Sequence, residues 1–318
     1  MSGEDRASSR RAEIRTISTE EAGQRIDNYL LRVLKGVPRS RIYRIMRRGE
    51  VRVNGGRIRA DYRLKPGDQL RLPPVRSSSP RVPSAAVSDR YRLENCVLYE
   101  DDRILVLNKP SGMAVHGGSG LSYGLIERLR LERPAAPYLE LVHRLDRETS
   151  GCLLIAKRRS ELRVLHELLR QGRVDKHYLA LVKGRWTMGA VTVEFALRKN
   201  RLRSGERMVR VDPNGKPSFS RFSPVWTGNR ASLMEVELGS GRTHQIRVHA
   251  AELGYPLAGD AKYGVPEFNR EMRDIGLKRM FLHANSVAYT NPETGKYIHV
   301  SALLADDLRI VLEALGDA

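Results

Sequence analysis

Residues 73 to 89 read PPVRSSSPRVPSAAVSD, a stretch rich in proline and serine with no apolar periodicity. That composition makes a semi-rigid linker and offers nothing to a packed layer. A chain of 318 residues interrupted there must close two cores, a small one before the break and a large one after it. The organisation expected is a disordered tail over residues 1 to 20, a small domain over 21 to 73, the linker over 74 to 90 and a large domain over 91 to 318.

The small unit is set apart by charge. Residues 21 to 76 hold 15 Lys or Arg against 5 Asp or Glu, about half of the chain's net charge of +19. Within it QRIDNYLLRVL spaces Ile26, Leu30 and Leu34 by four, and SRIYRIMRRG follows Pro38 with Ile42, Ile45 and Met46 at helical spacing. Two short amphipathic helices are predicted. EVRVNGGRIRA then alternates around an Asn-Gly turn signal, and DYRLKPGDQLRL is expected to supply a further strand pair. Arg39, Arg41, Arg44, Arg47 and Arg48 crowd the second helix and its approach, a self-repulsion that phosphates would neutralise. The segment SRIYRIMRRGEVRVNG resembles the small RNA-binding module first described in the fourth protein of the ribosomal small subunit, with the likeness running over residues 22 to 72. That resemblance implies RNA binding and no reaction.

After the linker, strand-like runs recur: NCVLYED, RILVLNKP, CLLIAKR, HYLALVKGR and LMEVELG. Helical spacing appears at YGLIERLRLE, at SELRVLHELLRQG with Leu162, Leu165 and Leu169 on one stripe, and at THQIRVHAAELG with Ile246, Ala250 and Leu253. Strands and helices do not alternate regularly. The predicted fold class is therefore α+β, a mixed and largely antiparallel sheet with flanking helices, joined to the small basic α+β unit.

A pI near 10.3 favours polyanionic partners, with nucleic acid ahead of membrane because no apolar run approaches the roughly 20 residues of a spanning helix. The opening MSGEDRASSRRAEIR is polar and contains acids, so an export signal is not expected. Cys96 and Cys152 are too few for a disulfide framework, and a reducing cytoplasm is the expected setting. His244 and His249 stand five apart and do not share a helical face as metal-binding histidine pairs do, so no metal site is expected. HGGSG lacks a following Gly-Lys-Ser/Thr, which argues against a nucleotide-phosphate loop.

The chemistry concentrates in three segments. LVHRLDRETSGCLLIAKR sets Asp146 between Arg144 and Arg147, in a polar loop bounded by an apolar approach and a buried strand. KHYLALVKG places Tyr178 near the start of a strand, and GSGRTHQIRVH reads as a glycine-rich turn feeding a helix that carries Thr243 and Arg247 one turn apart. An isolated RLDR would be a surface ion pair. Here HRLDRETSG resembles the catalytic motif of the RluA-type pseudouridine synthases nearly residue for residue, and the other two segments resemble further motifs of that family in the same order. Softer likenesses are NKPSGMAVHGG from Asn108 to Gly118, YPLAGDAKYG from Tyr255 to Gly264, and FLHA from Phe281 to Ala284.

The resemblance implies the pseudouridine synthase fold and an RNA uridine as substrate. It makes Asp146 the indispensable carboxylate, Tyr178 a ring facing the target base, and Arg247 the partner that holds Asp146. His143, Arg144, Arg147, Arg242 and Thr243 become candidate substrate contacts, and the five arginines from Arg39 to Arg48 candidate RNA contacts. A carboxylate suits the reaction because the nitrogen–carbon glycosidic bond must break, which requires a nucleophile that stabilises the sugar or adds to the uracil ring. Large-subunit ribosomal RNA is the expected partner, with other ribosomal or transfer RNA uridines as the alternative. No small-molecule cofactor and a monomeric state complete the expectation.

Overall fold

The computed structural model describes residues 12–34, 36–75, 92–117, 123–201 and 207–316. The chain divides into two units, Met1–Ser88 and Asp89–Ala318. In the first, β1 (Glu13–Thr16), α1 (Ile26–Val33), α2 (Arg39–Arg47), β2 (Arg52–Val53), β3 (Gly56–Arg57) and β4 (Gln69–Leu72) form two helices on a sheet of order β1-β4-β2-β3. Ile26, Leu30, Ile42, Ile45 and Met46 meet Val51, Val53, Leu70 and Leu72 in one core, which is what the spacing of four and three along each helix demands. Asn54 and Gly55, at φ 50° and 78°, turn the chain between β2 and β3, the left-handed pair a tight hairpin needs.

Two expectations are corrected in this unit. Residues 13–16, assigned to a disordered tail, form β1 and pair antiparallel with β4, from Glu13 opposite Leu72 to Thr16 opposite Gln69, with Ile17 buried in the core behind them. The run from Asp61 to Leu72 accordingly contributes one strand of the sheet and not a pair, because the partner of β4 comes from upstream. Residues 1–11 of the expected tail and 76–90 of the expected linker lie outside the described residues.

The second unit continues with β5 (Val97–Glu100), β6 (Ile104–Lys109), α3 (Leu125–Glu132), β7 (Glu140–Leu141), β8 (Ser150–Ala156), α4 (Arg159–Arg170) and β9 (Asp175–Lys183). It then runs through β10 (Val191–Arg201), β11 (Arg207–Val211), β12 (Lys216–Thr227), β13 (Ala231–Leu238), α5 (Gln245–Glu252), α6 (Pro266–Asp274), β14 (Leu282–Thr290), β15 (Tyr297–Ser301) and α7 (Asp306–Ala314). The sheet order is β11-β10-β12-β13-β9-β14-β8-β6-β5, with β15 added to β14 and β7 to β8. Only β14 and β8 pair in parallel among the described residues, so the sheet is mixed and largely antiparallel, as the irregular strand pattern implied.

β8 is buried at every position, and its alternating side chains feed two cores. Leu153 and Ile155 pack with α3 and with Ile246 and Ala250 of α5, while Cys152, Leu154 and Ala156 pack with Leu165 and Leu168 of α4. A third cluster joins Phe268 and Met272 of α6 to Leu308 and Val311 of α7 against Leu181 and Leu233. The β10–β12 arm was not among the strand runs picked out from sequence, although Val191, Val193, Phe195 and Leu197 alternate along β10; Val193 and Phe222 join the core around Ile246 and Ala250, and Leu197 and Val209 pack with Val248 of α5.

Gly151 opens β8 at φ 105°, and a Cβ there would stand 2.2 Å from the Ala284 carbonyl oxygen of the parallel partner β14. Neither the backbone conformation nor the space admits a side chain. Gly151→Ala is expected to lower unfolding stability by about 3 kcal/mol or more, read from urea denaturation; a loss under about 1 kcal/mol would show that β14 shifts freely.

Candidate active site

Asp146 sits in the loop between β7 and β8, and the loop is held by groups that sequence separation conceals. Leu145 and Thr149 are buried, and the Thr149 amide donates to the Asp146 carbonyl at 3.2 Å. The segment after β6 stitches the other side: the Gly112 amide donates to the Arg147 carbonyl at 2.8 Å, and Ser111 Oγ to the Glu148 carbonyl at 2.6 Å. Lys109 is fully buried, and its Nζ donates to the carbonyls of Pro110 at 2.9 Å, Met113 at 2.8 Å and Arg147 at 3.1 Å. Burial pushes its ammonium down to about 7 against the pull of Glu148 and Asp146, yet three carbonyl acceptors match the three N–H donors of the charged form. The NKPSG stretch is thus a brace for the loop that carries Asp146.

The carboxylate faces α5. Arg247 Nη1 donates to Asp146 Oδ2 at 3.3 Å, while its Nε and Nη2 make a bidentate pair with Asp260, both at 2.7 Å. The guanidinium therefore spends its fork on Asp260 and presents its remaining edge to Asp146. Burial alone would raise the Asp260 pKa; the guanidinium fork, its charge and the amides of Lys262 and Tyr263 outweigh that and hold it below the usual carboxylate range. Tyr263 lies under the guanidinium, its ring centroid 5.0 Å from Cζ.

His244 completes the cluster. It precedes α5 at φ 55°, so the helix starts at Gln245 and Thr243 stands ahead of it, not one helical turn below Arg247. His244 Nε2 is 3.9 Å from Asp146 Oδ2, and its Nδ1 is 2.9 Å from the Tyr263 hydroxyl. The Val209 amide donates to that same hydroxyl at 2.8 Å. With the hydroxyl's own hydrogen directed to Nδ1, the imidazole N–H lies on Nε2, on the side of Asp146. Burial lowers the His244 pKa, opposed by the charge of Asp146, in keeping with a neutral ring.

Asp146, His244 and Arg247 line an open cleft together with Arg144, Tyr178, Leu238, Arg242 and Thr243. Tyr178 on β9 pairs in register with Val236 and Ala284 and is only 6% exposed. Burial, with the charge of Asp146 added, raises its hydroxyl above the ordinary value, so the side chain is a neutral phenol. Arg144 and Arg242 are exposed at the cleft, Arg242 steadied by the Pro217 carbonyl at 3.2 Å.

Two expected substrate contacts are placed elsewhere. Arg147 donates to the Gly112 carbonyl at 2.9 Å and does not line the cleft, because its backbone is part of the brace. His143 accepts the Leu154 amide at 3.1 Å; burial, reinforced by the charge of Lys176, pushes its ring down to about 4, so it is a neutral acceptor, and it lines an adjoining cavity and not this cleft.

With this arrangement in view, the chain is 54% identical to the protein called Ribosomal large subunit pseudouridine synthase C of Pasteurella multocida, over 95% of this chain and 93% of that one. The chain belongs to the RluA-type pseudouridine synthases. The protein of the same name from Yersinia pestis is 53% identical to this synthase over 94% of each chain. The model of the RNA pseudouridylate synthase family matches residues 103–252, and that of the S4 domain matches residues 24–70. Two solved structures share the fold. Human RNA Pseudouridylate Synthase Domain Containing 4 aligns at a TM-score of 0.58 and 23% identity over 70% of this chain and 94% of that one. Human RNA Pseudouridylate Synthase Domain Containing 1 aligns at 0.54 and 24% over 72% and 98%.

In the S4 domain of this synthase, Arg39, Arg41, Arg44, Arg47 and Arg48 are all exposed on α2 and its end. Arg39 reaches the Tyr43 hydroxyl at 3.3 Å, and none of the other four has a carboxylate partner among the described residues. The catalytic unit contains three residues that sequence reasoning passed over: Asp260, Tyr263 and His244. The first two lie in YPLAGDAKYG, where an acid and a tyrosine three apart around a turn were the available signal; His244 is within the motif that supplied Arg247.

Proposed function

We propose that this synthase isomerises uridine to pseudouridine at several positions of large-subunit ribosomal RNA, with Asp146 as the nucleophile. The observation that carries the reading is the likeness along nearly the whole chain, 54% over 95% of it, to an enzyme named for that substrate, with Asp146 opening on the cleft. The S4 unit and the exposed Arg144 and Arg242 grip RNA phosphates. The target uridine leaves its stack, since a side chain cannot reach the sugar or ring of a sandwiched base, and unstacking costs a few kcal/mol that the protein contacts offset.

In the cleft, Arg247 holds Asp146 in one orientation and His244 offers a donor toward the same oxygen. Asp146 assists detachment of uracil from the sugar, the ring rotates, and its C5 carbon takes the place of N1 on the anomeric carbon. The hydrogen on C5 is lost and N1 gains one, so the product is an isomer and the balance requires no donor or oxidant. Tyr178, kept as a phenol, is suited to stacking on the ring and donating a hydrogen bond more than to acting as a base. A monomer working in the cytoplasm without a small-molecule cofactor fits this scheme.

Carbodiimide mapping of unmodified large-subunit ribosomal RNA incubated with the protein tests the substrate. New reverse-transcription stops identify the target uridines. No stops there, but stops in transfer RNA, would move the target and keep the reaction.

A further inference from the structure

β9 carries a second functional side chain two residues before Tyr178. Lys176 is 7% exposed and lies on the same face of the strand as Tyr178, with Cα atoms about 7 Å apart, a spacing on the scale of one nucleotide. Both side chains line a cavity of about 410 Å³ that shares Arg144, Tyr178, Leu238 and Arg242 with the Asp146 cleft and therefore continues from it. Four cations face this cavity, Arg144, Arg170, Lys176 and Arg242, of which Arg170 is paired with Glu167, and no Asp or Glu lines it among the described residues.

The two buried lysines of this unit are in opposite situations. Lys109 is surrounded by three carbonyls. The Lys176 ammonium has no hydrogen-bond or ion-pair partner among the described residues, and the acid whose charge reaches it, Asp175, is exposed on the other face of the strand. Burial pulls Lys176 down to about 8 with only Asp175 opposing, the direction expected of a cation that lacks a counter-ion. The stem of Lys176 is buried while its ammonium, without a protein counter-ion, faces a cavity that it shares with Arg144 and Arg242, a placement that favours a ligand bringing negative charge. A phosphodiester does so, and a cavity of this size has room for the sugar attached to it.

We propose that Lys176 is an anion-binding residue that takes the phosphodiester next to the flipped uridine and so anchors the RNA backbone while Tyr178 meets the base. The assignment rests on the reading of this chain as an enzyme acting on an RNA uridine. It makes Lys176 a binding residue in the cavity beside the reacting atoms, and it gives the first residue of KHYLALVKG a role of its own.

The test uses the full-length protein, its Lys176→Met and Lys176→Arg variants, and a short RNA spanning a mapped target uridine. The RNA is made with natural linkages or with one neutral methylphosphonate at each position flanking the target. One neutral linkage is expected to cost the wild type about 10- to 100-fold in kcat/KM, the scale of a lost charged contact. Lys176→Met loses a similar factor on natural RNA, loses nothing more on that neutral linkage, and lowers the salt slope of RNA binding by about 0.7. Lys176→Arg retains most activity. The thermal midpoint of Lys176→Met stays level, because no hydrogen bond or ion pair within the protein is lost, whereas a structural lysine would lower it. Unchanged kinetics for Lys176→Met, or losses that multiply at every linkage, would overturn the assignment. Wild-type protein that binds RNA with the steeper slope but forms no pseudouridine would sink the enzymatic reading and leave the phosphate contact standing.

Discussion

Asp146→Asn is expected to abolish pseudouridine formation, with a loss of about four orders of magnitude or more, the scale of removing a nucleophile. The substitution preserves shape, and the amide oxygen of asparagine can still accept from Arg247 Nη1 at the 3.3 Å separation seen for the aspartate. The Arg247–Asp260 pair and the brace from Lys109 do not involve the Asp146 side chain, so folding should be little altered. RNA affinity should be equal or slightly tighter, since a negative charge has been taken out of a basic cleft. Filter binding and carbodiimide mapping on the same preparation separate the two effects. Turnover retained by a well-folded Asp146→Asn protein would remove Asp146 from the mechanism.

Asp260→Asn is expected to cost both stability and rate. Asp260 is 1% exposed and accepts both arms of the Arg247 fork, so its neutralisation leaves a buried guanidinium without its main partner. Breaking such a pair from one side costs about 3 to 5 kcal/mol, and a fall of the thermal midpoint should report it. Arg247 then has no reason to keep its third edge on Asp146, and kcat should fall about 10- to 100-fold with KM little changed. The pH dependence follows from the depressed pKa of Asp260. Its stabilisation is fully present above the unfolded carboxyl pKa, about 3.9, and is lost as the pH falls through the lower folded value. The gap in stability between wild type and Asp260→Asn should therefore be widest near neutrality and shrink below about pH 4. A gap constant from pH 7 to pH 3 would mean that the charge on Asp260 is not what holds Arg247.

Asp146, Tyr178 and Arg247 were legible because each sits in a short motif that resembles one of the RluA-type synthases, the three in the same order; taken alone, RLDR would have read as a surface ion pair. The α+β class was legible for a different reason: the strand runs around β6, β8, β9 and β13 are apolar enough to announce themselves. What escaped depends on partners far along the chain. β1 is a polar four-residue segment that becomes a strand because β4 offers it an edge more than fifty positions away. The β10–β12 arm is held by pairing with β13, and its inward residues Val193, Leu197, Val209 and Phe222 are divided between two cores built mainly by other elements. Asp260 carries only a weak local signal; its role comes from a fork donated by α5, and nothing in YPLAGDAKYG shows the arginine that will reach it. Arg147 shows the opposite case. Its position beside Asp146 suggested a substrate contact, but the backbone turn sends its side chain to Gly112.

The brace behind the Asp146 loop works almost wholly through main-chain oxygens, with Lys109, Ser111 and the Gly112 amide binding the carbonyls of Arg147 and Glu148. A carbonyl is the same whatever side chain the residue bears. Positions 147 and 148, both exposed, can therefore be exchanged without removing the carbonyls that hold the loop, the Arg147 side chain giving up only its contact to the Gly112 carbonyl. Selection, or a designer who wishes to redirect the enzyme to a different uridine, has a pair of adjustable positions one and two residues from the nucleophile whose main-chain anchors survive the exchange.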